Sequence, residues 1–207
     1  RAASDMRQKD QTRMKLGIAD GRRIALLSLA YLTPSGETLE IRRKLLECVV
    51  GGLPAEYQLV VKPHPAENGG DIEKFVFRHA PKAVIADRFM PIDDILSISD
   101  VLFNRGNSQV VIDATQRGIP VVAVPAGRHT IFHELSMNNV IANEPRDISR
   151  ALKSINESGM GIYDRLIKEH LAIDPGRACE NTIRRIIEIA GSRNMADMGN
   201  RSIEIAL

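Results

Sequence analysis

The chain has 207 residues, of which 43% are hydrophobic and 26% are charged, and its formal net charge is +2. This composition is typical of a globular domain with a sizeable core. The small net charge gives no support for a nucleic-acid partner. No apolar stretch approaches the roughly 20 residues needed to cross a bilayer, and the polar first residues do not resemble a signal peptide. A start at Arg1 rather than at methionine suggests a piece of a longer protein.

The two cysteines, Cys48 and Cys179, both fall in predicted helices and lack the spacing of metal ligands. They are interpreted as reduced residues of a cytosolic protein. We expect no metal ion and no bound cofactor.

Short apolar runs alternate with helical patterns along most of the chain. A charged leading helix is predicted within residues 1–16. Predicted strands follow at 22–30, 58–62, 83–86, 101–103 and 121–124, with 140–142 as a candidate sixth. One predicted helix runs through Leu45, Leu46 and Val49 and ends at Gly51 and Gly52. The others lie at about 71–79, 92–98, 107–117, 146–157, 161–171 and 175–190. Continuous Val, Ile and Leu runs between helices indicate a doubly wound, Rossmann-like parallel sheet of about six strands, with helices on both faces. The domain is expected to span 1–190, and 191–207 to form a tail or a crossing helix.

The segment Lys62–Pro65 places a cation and an imidazole at the exit of a buried strand. Two prolines fix the backbone on either side of His64. A rigid histidine there can donate to a phosphate oxygen, and Lys62 can add positive charge. The alternative is a proline-rich turn with an incidental surface histidine.

A second polar turn, residues 104–108, joins the fourth predicted strand to a helix that is expected to open at Asn107 and Ser108. Unpaired amides at a helix start attract anions, and Arg105 adds charge beside them. Capping alone explains either Asn107 or Ser108. Because ligands of open parallel sheets bind at the carboxyl ends of the strands, this turn and the His64 turn predict one phosphate site.

Other polar residues are weaker candidates for the same cleft. Asp113 is either a ribose ligand or half of an ion pair with Arg117. Thr33 and Ser35 follow the first strand, where capping also accounts for them. Arg128 and His129 follow the fifth strand.

Three segments together resemble the C-terminal, donor-binding half of GT-B glycosyltransferases: Lys62–Pro65, Ser99–Ser108 and Asp113–Pro120. The resemblance covers about residues 12–190 and includes the stretch 174–180. It is strongest to bacterial CDP-glycerol glycerophosphotransferases and to capsule-type sialyl- and polysialyltransferases.

In that group a His-Pro pair and a later pair of hydroxyl residues bind the phosphate of a cytidine-nucleotide donor. His64 and Pro65 match the first pair, and the second is matched only at Ser108, because Asn107 replaces the other hydroxyl residue. Asp113 stands where the wider family has a glutamate. The resemblance implies a CMP- or CDP-type donor, possibly a UDP-type one, held by Lys62, His64, Arg105, Asn107 and Ser108, with His64 as the catalytic residue.

The resemblance also implies parts that this sequence lacks. GT-B enzymes have an N-terminal domain that binds the acceptor, here expected to be a surface polysaccharide or a teichoic-acid-like polymer, and supplies the general base. Such enzymes work in the cytoplasm, in some cases at the inner face of the membrane. A nucleotide-sugar 2-epimerase-like domain and a non-catalytic assembly module for polysaccharide synthesis or export remain alternatives.

Overall fold

In this computed structural model, the described residues form one five-stranded sheet. The structure describes residues 2–19, 21–32, 38–106, 108–126 and 140–163, together with 183, 184, 186 and 187. The strands are β1 (Arg23–Ser28), β2 (Tyr57–Lys62), β3 (Val84–Ile85), β4 (Val101–Asn104) and β5 (Val121–Ala123). The helices are α1 (Ala2–Lys15), α2 (Leu39–Gly52), α3 (Gly69–His79), α4 (Ile92–Ile98), α5 (Val110–Gln116) and α6 (Pro145–Ser158), followed by a 3₁₀ helix (Gly159–Tyr163).

All strands are parallel, and their order across the sheet is β3-β2-β1-β4-β5. The predicted doubly wound parallel fold is therefore confirmed. The candidate sixth strand is a single parallel bridge between Ala123 and Ile141. Two hydrogen bonds of 2.8 Å hold it, from the Ala123 amide to the Val140 carbonyl and from the Ala142 amide to the Ala123 carbonyl.

The central residues of the strands are mostly apolar because helices cover the sheet. In β1 the four residues Ile24–Leu27 are 0% exposed, a pattern expected for a strand buried on both faces. The chain moves outward from β1 to β3, then returns past β1 to β4 and β5. Right-handed crossovers in opposite directions place α2 and α3 on one face and α4 and α5 on the other. Consistently, α2 contacts α3 and α6, whereas α1 contacts α4.

Helix α2 lies very close to the start of α6 at Gly52. A Cβ atom built on Gly52 would lie 2.1 Å from the carbonyl oxygen of Pro145. A larger residue at this position would force the two helices apart, which accounts for glycine here.

The predicted elements agree with the observed ones to within a few residues, apart from the sixth strand and the last helices. By backbone contacts the chain divides into two units, 1–167 and 168–207. Most residues of the two predicted helices at 161–171 and 175–190 lie outside the described residues. Cys179 and the tail at 191–207 also lie outside them. Residues 183, 184, 186 and 187 are helical. The site described below belongs to the first unit.

Tyr163 fastens the 3₁₀ helix to the edge of the sheet. Its hydroxyl donates to the Val121 carbonyl at 2.8 Å and accepts from the Val121 amide at 2.9 Å, while the residue is only 1% exposed. Burial raises the pKa of this hydroxyl far above its usual range.

We expect Tyr163→Phe to lower the free energy of unfolding by about 1–3 kcal/mol, because both backbone groups of Val121 lose a buried partner. Urea denaturation measures the change. Tyr57→Phe is the matched control, since the Tyr57 hydroxyl makes no hydrogen bond within the described part of the chain. Equal, small effects of both variants would contradict this account.

Candidate functional site

A cleft of about 520 Å³ opens at the carboxyl ends of β1 and β2. Its walls are residues 28–31, 62–65 and 88–92, together with Ser108. The strand order reverses between β1 and β4, and open parallel sheets bind ligands at such a switch point. Two separate sequence signals, the Lys62–Pro65 turn and Ser108, thus lie on one cleft, as predicted.

His64 is exposed on the wall of this cleft, and its ring has a defined hydrogen-bonding role. Its Nδ1 accepts the Ala66 amide at 3.1 Å, so in the neutral ring the proton resides on Nε2. The Tyr31 ring lies beside it, with the two ring centroids 5.5 Å apart. His64 can therefore offer an N–H donor to a ligand without breaking its own turn.

Lys62 lines the cleft, yet its ammonium is occupied by backbone groups. The side chain is 5% exposed, and Nζ donates to the carbonyls of Pro63 at 3.0 Å and Arg88 at 2.6 Å. Burial lowers its pKa. The bond to Arg88 joins the β2 exit to the β3–α4 segment. Two of the three ammonium protons are thus used, which leaves one for a ligand.

The turn after β4 is organised by Asn104, a residue that sequence reasoning did not single out. Asn104 is 1% exposed. Its Nδ2 donates to the Ser28 carbonyl at 3.1 Å, and its Oδ1 accepts the Gly106 amide at 3.0 Å. Gly106 has a φ of 75°, a conformation that favours glycine. Asn104 therefore ties the turn before Ser108 to the end of β1.

Ser108 lies ahead of α5 rather than inside it. Regular helix begins at Val110, and the residue at its N-cap position, Gln109, makes no capping bond with its side chain. The Ser108 hydroxyl makes no hydrogen bond within the described part of the chain. The predicted helix start at 107–108 is therefore two or three residues too early, and the Ser108 hydroxyl is not used as a cap.

The structure does not bring Arg105 and Asp113 onto the cleft wall. Arg105 is 6% exposed. Asp113 is half-buried on α5, and burial raises its pKa. The ion pair considered for Asp113 is not formed, because Arg117 contacts Asp93 of α4 at 2.8 Å. Phosphate and ribose roles for Arg105 and Asp113 remain predictions.

Several predicted residues lie outside the described part of the chain. They are Thr33, Ser35, Asn107, Arg128 and His129.

Sequence reasoning also missed a buried ion pair between Arg42 of α2 and Glu67, which follows the His64 turn. Arg42 Nη2 lies 2.7 Å from Glu67 Oε1, and the two residues are 2% and 9% exposed. A signal was present in α2, since Arg42 shares the apolar face formed by Ile41, Leu45 and Val49. A charge on such a face indicates a buried partner.

A cavity of similar volume, about 510 Å³, lies at the opposite, amino-terminal end of β2. It is lined mainly by residues 53–55, 57–59 and 80–83. Several polar side chains there are hydrogen-bonded to the backbone. Arg22, for example, donates to the Tyr57 carbonyl at 3.1 Å. Its position is opposite to the strand ends where ligands of open sheets bind, so the cleft at His64 is the better candidate.

Within the described residues, no group of three or more His, Cys, Asp or Glu side chains has the arrangement of a metal site. In the same part of the chain, no helix has the length and apolar character required to span a membrane. Cys48 is a buried free thiol whose pKa is raised to about 11 by burial. Its high pKa makes it a poor nucleophile.

The sequence matches no family model and no curated protein sequence. Among solved structures, a variant of the wall teichoic acid polymerase TagF is similar with a TM-score of 0.59 and 15% identity, over 93% of this chain and 50% of that one. UDP-GlcNAc 2-epimerase from Neisseria meningitidis, bound to UDP-GlcNAc, has a TM-score of 0.55 and 14% identity, over 87% and 49%. CalG4, the calicheamicin glycosyltransferase, has a TM-score of 0.53 and 16% identity, over 82% and 44%.

The chain thus spans about half the length of the structures it resembles. At such low identity the likeness concerns the fold alone. The fold is that of a GT-B-like, Rossmann-type domain.

The Glu67–Arg42 pair should make stability depend on pH in acid. Burial raises the pKa of Glu67, but hydrogen bonds from Arg42 and the Leu32 amide outweigh it, so the pKa lies below its usual value of 4.5. On acidification the unfolded chain then takes up the proton first. The contribution is present above pH 4.5 and is lost as the pH falls through the folded-state pKa.

We therefore expect wild type to be more stable than Glu67→Gln at about pH 7, with the difference shrinking below about pH 4.5. Urea denaturation at several pH values measures it. A difference that stays constant down to about pH 3 would show that the charge of Glu67 does not stabilise the fold.

Proposed function

We propose that this chain is the nucleotide-donor-binding domain of a GT-B transferase. The observation that carries the proposal is the placement of His64 and Ser108 on one cleft at the carboxyl edge of the sheet. The fold supports it, because the similar structures include a polymerase of wall teichoic acid and a glycosyltransferase.

The proposed chemistry is stabilisation of the phosphate of the donor. The Nε2 proton of His64 and the hydroxyl of Ser108 donate to phosphate oxygens, and the third proton of Lys62 adds a charged donor. Negative charge grows on the leaving nucleotide as its bond to the transferred group breaks. Donors placed in advance at that phosphate therefore lower the barrier.

The proposed donor is of the CMP or CDP type, and the transferred unit is a sugar or a glycerol phosphate. The resemblance of the Lys62–Pro65 and Ser108 segments to cytidine-nucleotide transferases supports this choice, as does the structural likeness to a teichoic acid polymerase. The acceptor is then a growing surface polysaccharide or teichoic-acid-like polymer. The site of action is the cytoplasm, including the inner face of the membrane.

A second domain completes the proposed enzyme. The similar structures are about twice the length that this chain covers. A separate acceptor-binding domain, with the general base, would face the cleft at His64. The chain alone should then bind nucleotide weakly and lack transferase activity.

A UDP-GlcNAc 2-epimerase-like function is the second candidate. The similar structures include such an epimerase with UDP-GlcNAc bound. The two functions differ in the expected nucleotide, cytidine in the first and uridine in the second.

Titration calorimetry with CMP, CDP, UDP and GDP tests the proposal. We expect cytidine nucleotides to bind, and His64→Ala and Ser108→Ala each to weaken binding by roughly ten- to a hundredfold, as for loss of a hydrogen bond to a charged group. His79→Ala is the matched control, because His79 ends α3 on the far side from the cleft. Preference for UDP would favour the epimerase-like function, and binding of none of the four would refute the proposed function.

A further inference from the structure

The Arg42–Glu67 pair lies behind the cleft and contacts several segments that form its walls. Arg42 Nη2 donates both to Glu67 Oε1 at 2.7 Å and to the Ala30 carbonyl at 2.8 Å. Glu67 Oε1 also accepts the Leu32 amide at 2.9 Å. One carboxylate oxygen and one guanidinium nitrogen thus join α2, the β1 exit and the segment after His64.

The third wall of the cleft, residues 88–92, is joined to Glu67 and Lys62 by hydrogen bonds to backbone carbonyls. The Arg88 guanidinium donates to the Glu67 carbonyl. Lys62 Nζ donates to the Arg88 carbonyl at 2.6 Å. Segments 28–31, 62–65 and 88–92, which wall the cleft, are therefore linked through Glu67 and its neighbours.

The His64 turn is closed by two hydrogen bonds from the residues that follow it. The His64 carbonyl accepts the Glu67 amide at 3.0 Å, and His64 Nδ1 accepts the Ala66 amide at 3.1 Å. The first of these bonds depends directly on where the Glu67 backbone lies. A fixed Glu67 therefore helps to fix the position of the His64 ring on the cleft wall.

The energetics argue that stability alone does not explain the pair. Removing two charges from water is costly, and buried pairs are often replaceable by apolar residues of similar volume without loss of stability. A directional bond between segments gives what apolar contacts do not, a fixed relative geometry.

We infer that Arg42 and Glu67 are positioning residues that hold the His64 turn in its ligand-binding conformation. The ligand in this inference rests on the proposed function. The role of the pair in fixing the conformation of the His64 turn does not. Neither residue is among those that line the cleft, so both act through His64.

The test replaces the pair by apolar residues of similar length, Arg42→Met with Glu67→Met. Arg43→Met is the matched control, because Arg43 is the next residue of α2 and pairs with Glu40 and Glu47 on the helix surface. Thermal unfolding checks that both variants fold.

The first readout needs no ligand. Hydrogen exchange of the Ala66 amide, measured by NMR, should accelerate by about tenfold or more in the double variant, while exchange in β1 stays at the wild-type rate. Arg43→Met should leave both unchanged. Wild-type protection of Ala66 in a folded double variant would overturn the inference, whatever nucleotide the protein binds.

The second readout is affinity for the nucleotide that wild type binds best among CMP, CDP, UDP and GDP. The double variant should bind this nucleotide about tenfold more weakly than wild type. In a protein that already carries His64→Ala, the same two substitutions should cause no further loss of affinity. Additive losses would overturn the inference while leaving the proposed function intact. Absence of binding to wild type would refute the proposed function and leave the Ala66 result to decide the inference.

Glu67→Gln provides a further check if the double variant does not fold. It keeps an oxygen for Arg42 and Leu32, but a neutral one that accepts more weakly than a carboxylate. Exchange of the Ala66 amide should therefore accelerate by a smaller factor than the one expected for the double variant. Wild-type exchange of the Ala66 amide in folded Glu67→Gln would overturn the inference.

Discussion

The reversal of strand order between β1 and β4 is the constraint on which the rest of this structure depends. Crossovers leave the sheet in both directions from that point, so helices diverge there and a cleft remains at the carboxyl ends. The turns that leave β1, β2 and β4 all meet at this edge. Residues far apart in sequence, such as His64 and Ser108, thereby come to line the same cleft.

The turns at that edge are held mainly by side chains that bind backbone. Asn104 joins the β4 turn to β1, Lys62 joins the β2 turn to the segment after β3, and Arg42 joins α2 to the end of β1. Turns lack the ladder hydrogen bonds of a sheet, and buried backbone groups without partners are costly. These three polar side chains supply the partners, and they leave His64 Nε2 and the Ser108 hydroxyl available to a ligand.

Much of this arrangement is predictable from the sequence, because apolar runs and helix periodicity are local properties. The parallel α/β class, most element positions and the meeting of Lys62, His64 and Ser108 at one edge follow from them. The start of α5 was misplaced, since Asn107 and Ser108 are good capping residues in a segment whose helix begins at Val110. The predicted sixth strand is a single bridge in the structure. An apolar triplet in the sequence does not indicate how many of its residues will pair.

The partners of buried charges are harder to predict from the sequence, because they depend on tertiary contacts. Arg42 and Glu67 are 25 residues apart, and nothing local specifies that they meet. The same holds for Arg117, whose side chain reaches Asp93 on another helix rather than Asp113 one turn away. Sequence periodicity marks such a residue as buried, but only the fold identifies what it binds.

We propose that a nucleotide phosphate binds at the edge of the sheet where β1, β2 and β4 end. Mapping of backbone amide shifts during titration with CMP and CDP tests it most directly. We expect the amides of Tyr31, Ala66 and Ser108 to shift in a saturable way, while those of Lys82 and Ala83, at the opposite cavity, do not shift. Shifts centred on Lys82 and Ala83, or none at Ala66 and Ser108 at saturation, would contradict it.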